Sequence, residues 1–149
     1  MSGLPYLVDT NILLRWVRRD AAEYDIIRLA MTRLADEGAI PAYTSQNLGE
    51  FWNVLTRPVD RNGYGLTTQE SDERALEIEE SLQLLPDLPA VHQEWRRLLV
   101  DYSVCGVQVH DARLVAAMRV HGVGRILTFN TKDFGRYKFI EAVHPSHFQ

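Results

Sequence analysis

An α/β fold, a three-layer α/β/α sandwich around a central and mainly parallel sheet, is the fold class this sequence predicts. Two observations carry it. Short apolar runs of strand length alternate along the chain with amphipathic runs at helical spacing. The apolar runs are also near-continuous, as strands covered on both faces require. No linker, repeat or low-complexity stretch interrupts the 149 residues, so positions 1–149 are read as a single domain.

Leu4 to Val8 is the first short strand, and Asn11 to Arg19 the helix after it, with Asp9 or Thr10 at the cap. Ile26 to Glu37 is a second helix, because Ile26, Ile27, Ala30, Met31 and Leu34 share one face. Gly38 stops it, and Ile40 to Thr44 is the next strand. Ser45 is placed as the cap of a third helix, Gln46 to Thr56, which Pro58 and the turn Asn62-Gly63-Tyr64-Gly65 terminate.

Thr67 stands three residues ahead of Glu70, the spacing of a capping box, and opens a fourth helix. Leu84-Leu85-Pro86 is a short extended piece, and a fifth helix runs from about Ala90 to Tyr102. Asp111 to His121 is the sixth, ended by Gly122 and Gly124. Arg125 to Thr128 and Phe139 to Val143 complete the strands, the last at an edge.

Composition, at 46% hydrophobic and 24% charged, is that of a folded globular chain. Cys105 is the lone cysteine, which excludes an internal disulfide and a thiolate zinc cluster and points to a reducing compartment. The apolar start, Leu4 to Val17, is broken by Asp9, Asn11 and Arg15, so it is neither signal peptide nor membrane span. Cytoplasm is the expected location, with no membrane partner.

Net charge is −4, and it is unevenly spread. Residues 70–101 hold nine acidic and three basic side chains, whereas residues 106–149 hold three acidic and six basic. Fourteen of the sixteen basic residues are arginine, the side chain suited to bidentate phosphate contacts, although a codon bias explains the count equally well.

Four acids stand at the ends of apolar stretches or on the helix after one: Asp9, Glu50, Asp111 and Asp133. Each has an ordinary structural reading. Asp9 suits a helix cap, Glu50 a solvated polar face shared with Gln46, Asn53 and Arg57, and Asp111 a cap or first-turn acid. Asp133 suits a loop beside Lys132, and Asn130 offers a neutral oxygen nearby. His110 reads as a packed residue and is not assigned as a ligand. Together the acids point elsewhere, because carboxylates crowded at one end of a parallel sheet repel one another unless a cation lies among them. Oxygen-only ligands suit Mg²⁺ or Mn²⁺ better than zinc.

Four motifs in order, Leu7-Val8-Asp9-Thr10-Asn11, Asn47-Leu48-Gly49-Glu50-Phe51, His110-Asp111-Ala112 and Thr128-Phe129-Asn130-Thr131-Lys132-Asp133-Phe134, resemble those of PIN-domain nucleases. The resemblance spans essentially the whole chain, and the small single-domain form looks most like the VapC-type toxins of toxin–antitoxin pairs. It implies a metal-dependent ribonuclease with Asp9, Glu50 and Asp111 on the family's best-matched acids and Asp133 on a more variable fourth. Thr10, Asn11, Thr128 and Asn130 map onto supporting positions, and Asn130 stands where some members carry an acid, which leaves one metal or two open.

By that resemblance Asp9 and Asp111 would hold Mg²⁺ or Mn²⁺, with Glu50 bound directly or through water. Hydrolysis by activated water would leave a 5′-phosphate and a 3′-hydroxyl. Arg57, Arg61, Arg113, Arg136 and Lys138 are candidates for an RNA phosphate track, with Tyr64 or Trp52 for stacking, Trp52 reading rather as core. Single-stranded or looped RNA is the expected substrate. The resemblance also implies a small antitoxin that fills the groove, and a homodimer. Two other classes are compared. A dehalogenase-type phosphatase would need an acid at position 11, where this chain has Asn11. A non-catalytic RNA- or protein-binding module of the same fold is the closer rival.

Overall fold

The computed structural model describes residues 3–149. Its first strand, β1 (Pro5–Val8), is apolar on both faces: Tyr6 and Val8 belong to one core, Leu7 to the other. That division places β1 mid-sheet. The other strands are β2 (Ile40–Thr44), β3 (Gln83–Leu85), β4 (Arg125–Leu127) and β5 (Glu141–Val143), and the sheet order is β3-β2-β1-β4-β5. Every neighbouring pair is parallel, with Leu7 opposite Ala42 on one side and Ile126 on the other.

Helices α1 (Thr10–Trp16), α2 (Tyr24–Asp36), α3 (Ser45–Thr56) and α4 (Thr68–Ser81) cover one face. Their core contains Ile12, Leu13, Ile27, Leu34, Phe51, Leu55 and Ile78. Helices α5 (Pro89–Asp101) and α6 (Gln108–Val120) cover the other through Val91, Leu98 and the run Leu114-Val115-Ala116-Ala117-Met118. A fully buried Leu, Ile or Phe stabilises by roughly 1.5–3 kcal/mol relative to an exposed one. The three-layer α/β/α sandwich is therefore the observed architecture, with a wholly parallel sheet.

The chain leaves β1 for β2 and β3 on one side and returns on the other side as β4. The order reverses between β1 and β4, which makes their carboxyl ends a switch point where α/β folds open a crevice. Asp9 and Thr128 directly follow these two strands.

Several boundaries differ from the sequence reading. Helix α1 stops at Trp16, with Val17 as its cap residue, rather than at Arg19. Arg18, Arg19 and Asp20 are exposed, so no buried face extends the helix through them. Thr44, not Ser45, caps α3: its hydroxyl accepts the Asn47 N–H at 3.1 Å, and Asn47 Oδ1 accepts the Thr44 N–H at 2.9 Å. The reciprocal bond closes a capping box one residue earlier. Helix α6 begins at Gln108, so Asp111 lies in its first turn and not at a strand end. Val107, apolar by sequence, is 83% exposed. The edge strand β5 starts at Glu141 rather than Phe139, and β3 ends before Pro86. The Thr67–Glu70 capping box forms as read from sequence.

Candidate functional site

Backbone geometry brings Asp9 to the crevice. Its N–H donates to the Leu127 carbonyl at 3.0 Å, which joins the ends of β1 and β4. Asp9 is 8% exposed, and both its carboxylate oxygens are engaged. Oδ1 accepts the Thr10 N–H at 2.8 Å, and Oδ2 accepts the Thr128 hydroxyl at 2.7 Å. Asp9 is thus the cap of α1 and also a wall of the cleft. Burial raises its pKa to about 6 against the pull of the Thr128 and Thr10 hydrogen bonds, and the charges of Glu50 and Asp133 raise it further.

Glu50 reaches the same place from α3. The Thr10 hydroxyl donates to its Oε1 at 2.7 Å and the Gln46 amide to its Oε2 at 3.2 Å. Thr10 is itself fixed by the Asn47 amide at 3.2 Å. The polar stripe of α3 is therefore not simply solvated. One hydroxyl links the helix after β1 to the carboxylate of the helix after β2.

Asp111 approaches from α6, where the helix dipole favours an anion in the first turn. No hydrogen bond constrains its side chain among the described residues. Partial burial raises its pKa to about 7, and the charges of Asp9, Asp133 and Glu50 follow in that order. Asp133 lies in a short 3-10 turn, Thr131–Phe134, after β4 and is exposed. Around it, Asn11 donates to the Thr128 hydroxyl at 3.5 Å and accepts the Phe129 N–H at 3.4 Å. The Asn130 N–H also donates to the Thr128 hydroxyl, at 3.0 Å, while its exposed side chain makes no hydrogen bond among the described residues.

Asp9 and Asp111 thus lie within electrostatic reach of each other and of Glu50 and Asp133, and none of the four forms an ion pair with a Lys, Arg or His side chain among the described residues. Among those residues no group of three or more His, Cys, Asp and Glu side chains is already arranged to hold a metal ion. The donor chemistry nonetheless fits a hard divalent cation: the four acids offer carboxylate oxygens, and among the described residues no protein cation pairs with them to offset the charge.

Most of the basic candidates serve the fold. Arg57 donates to the Asn62 carbonyl at 2.9 Å, within the turn that ends α3. Arg113 reaches Gln46 at 3.4 Å and Asp87 at 3.5 Å. Arg136 holds the Tyr102 carbonyl at 3.2 Å and also the Gln108 side chain, and Lys138 holds the Gly135 carbonyl at 2.9 Å. Arg61 is exposed, and its side chain makes no hydrogen bond or ion pair among the described residues. Tyr64 donates to the Leu14 carbonyl at 3.3 Å and lies under the Arg18 guanidinium. It lines a cavity of about 900 Å³ with Val17, Leu55, Val59 and Leu66, to which none of the four acids contributes. Trp52 is half-buried.

Sequence reasoning missed Asn47 and Gln46. Asn47 is fully buried and cross-links the cap of α3 to Thr10. Its signal was Thr44 three residues ahead of a short polar side chain, a capping box with Asn in place of Glu or Gln.

The PIN domain family model matches residues 6–140, and the chain belongs to that family. Comparison with curated proteins finds no match. Solved structures share the fold at low identity. VapBC2 from Rickettsia felis, bound to a DNA fragment from its promoter, superposes with a TM-score of 0.69 at 14% identity, over 95% of this chain and 98% of that one. VapBC-1 from nontypeable Haemophilus influenzae gives 0.68 at 13% identity, over 96% and 99%. VapC20 from Mycobacterium tuberculosis, described as a toxin that cleaves the sarcin–ricin loop, gives 0.64 at 17% identity, over 89% and 95%. No helix among the described residues is long and apolar enough to cross a membrane.

Proposed function

We propose that this chain is a divalent-cation-dependent endoribonuclease, and that it is the toxin of a toxin–antitoxin pair. One observation carries the reading: Asp9, Glu50, Asp111 and Asp133 face the switch point of the sheet from four elements, and among the described residues no protein cation balances them. Support for the RNA substrate comes from VapC20, and support for an antitoxin partner from the VapBC complexes of the same fold. Cytoplasmic action as a homodimer remains part of the reading.

Asp9, Asp111 and Glu50 would hold Mg²⁺ or Mn²⁺, with Asp133 at the margin. A divalent cation so bound lowers the pKa of water and offsets charge on the phosphate. The chain's own residues set the rest. The Thr128 hydroxyl and the Thr10 N–H keep the Asp9 carboxylate facing the cleft, and the Thr10 hydroxyl turns Glu50 toward it. Arg61 remains free to meet an RNA phosphate. The other four basic side chains already hold protein groups, so any phosphate contact by them is additional to a structural bond.

The test is cleavage of single-stranded RNA with Mg²⁺ or Mn²⁺ and with chelator. Cation-dependent cleavage that leaves 5′-phosphate and 3′-hydroxyl ends is expected. Asp9→Asn and Asp111→Asn should each lower the rate by about 100-fold or more, on the scale of losses at metal sites. Cyclic phosphate ends would sink the hydrolytic reading. Full cleavage by both variants would sink the assignment of the site.

A further inference from the structure

Gln46 holds an unusual station between two acids that repel each other. Its Nε2 donates to Glu50 Oε2 at 3.2 Å on its own helix, and to the His110 carbonyl at 2.8 Å in the first turn of α6. Asp111 is the next residue after His110. The Gln46 Oε1 accepts from Arg113 Nη1 at 3.4 Å, and Arg113 continues to Asp87 Oδ1 at 3.5 Å, beyond β3. Both ends of the amide are therefore in use, and its orientation is determined. A reversed amide would set its oxygen against a carboxylate and a carbonyl, and its NH₂ group against a guanidinium.

The bonds made by Gln46 are the only side-chain hydrogen bonds between α3 and α6 among the described residues. Asp9 and Glu50 are already tied to each other's elements by Thr10. Asp111 has no such tie among the described residues, and its charge disfavours a close approach to Glu50. Among the described residues Gln46 alone spans that gap by a side-chain hydrogen bond.

We propose that Gln46 is a positioning residue: its side-chain amide ties the Glu50 carboxylate to the first turn of α6, and so sets the opening across which Glu50 and Asp111 share a divalent cation. The inference rests on the cation-dependent reading above. Gln46 does not itself touch the ion or the RNA. It restrains the Glu50 carboxylate and the backbone turn that carries Asp111 before the cation arrives, which lowers the cost of gathering the two acids.

Calorimetric titration of the full chain with Mn²⁺, without RNA, tests this on wild type, Gln46→Met and Gln46→Ala. Loss of an outer hydrogen bond that orients metal-binding groups weakens affinity about 10–100-fold, and both variants should show such a loss. Gln46 is half-buried, so circular dichroism and the cation-free melting temperature should stay close to wild type. In RNA cleavage the half-saturating Mn²⁺ concentration should rise by the same factor. The rate at saturating Mn²⁺ should return to within about threefold of wild type, the split expected of a residue that acts on affinity. A merely structural defect would instead lower the cation-free melting temperature.

Wild-type binding with unchanged affinity in both folded variants would overturn the role of Gln46 alone. No Mn²⁺ binding by wild type would overturn the cation reading, and the role of Gln46 with it. Should Gln46→Met fail to fold, Gln46→Ala, a simple truncation, decides between the same outcomes.

Discussion

Asp9 and Asp111 are both acids with raised pKa values, yet replacing them should have different consequences for stability. Asp9 has both oxygens in use, with Thr10 and Thr128, so Asp9→Asn keeps one acceptor and loses the other. The relief of charge is offset by a broken buried hydrogen bond worth about 1 kcal/mol. The Asp111 side chain accepts no hydrogen bond among the described residues, and its pKa is pushed to about 7 by burial and by its acidic neighbours. Asp111→Asn therefore removes a repulsion and breaks nothing. Without divalent cation, Asp111→Asn should melt above wild type at pH 8, while Asp9→Asn should gain less or lose. Differential scanning calorimetry in chelator checks the order. A lower melting temperature for Asp111→Asn would contradict the crowding of the cleft.

At the scale of elements, Asn47 is the residue on which α3 and the site both depend. It completes the capping box with Thr44 and anchors the Thr10 hydroxyl that holds Glu50. Asn47→Ala would strand the Thr44 N–H in the core and free Thr10. Loss of a cap together with an unsatisfied buried donor should cost about 2–3 kcal/mol in urea denaturation. A cost below that of an ordinary surface change would show that the capping box carries little load.

The strands and helices were largely legible because apolar period and punctuation agree there: Gly38, Pro58 and the Thr67–Glu70 box all mark ends that the structure keeps. The start of α6 was not legible. Val107-Gln108-Val109-His110 has the apolar look of a strand, but Trp95 on α5 donates to the Val109 carbonyl at 2.9 Å and fixes the segment as a helical turn. The bonds that Arg113 and Arg136 make within the fold were not legible for a similar reason. Their partners Gln46 and Gln108 lie 67 and 28 residues away, beyond the reach of any local pattern. Glu50 was ambiguous on a helical wheel because Thr10, the partner that orients it, lies 40 residues earlier.

For the whole molecule, charge follows the order of the sheet. Residues 70–101, nine acidic to three basic, include edge strand β3, whereas the last two strands lie in the more basic span 106–149. The acid cluster stands between these edges, so its titration registers in the stability of the entire fold. Asp9 titrates near 6 and Asp111 near 7 in the folded chain, against about 3.9 for an unfolded Asp. A raised folded pKa means that the native state binds protons more tightly than the unfolded one. The stabilisation from these groups is fully present below about pH 4 and is lost as pH rises through 6 to 7. These groups should therefore make the cation-free protein less stable at pH 8 than at pH 5.5, and Asp111→Asn should flatten that slope.

Divalent cation should reverse the trend, since it competes with protons for the same oxygens and binds better as they ionise. At about one hundred times its dissociation constant a ligand adds about 2.7 kcal/mol, which for a chain of this length raises the melting temperature by about 5–10 °C. The gap between cation-bound and cation-free melting temperatures should accordingly widen from pH 5.5 to pH 8. Thermal scans with Mn²⁺ and with chelator across that range measure it, and a gap that stays constant would mean that the cation and the protons do not meet at Asp9 and Asp111.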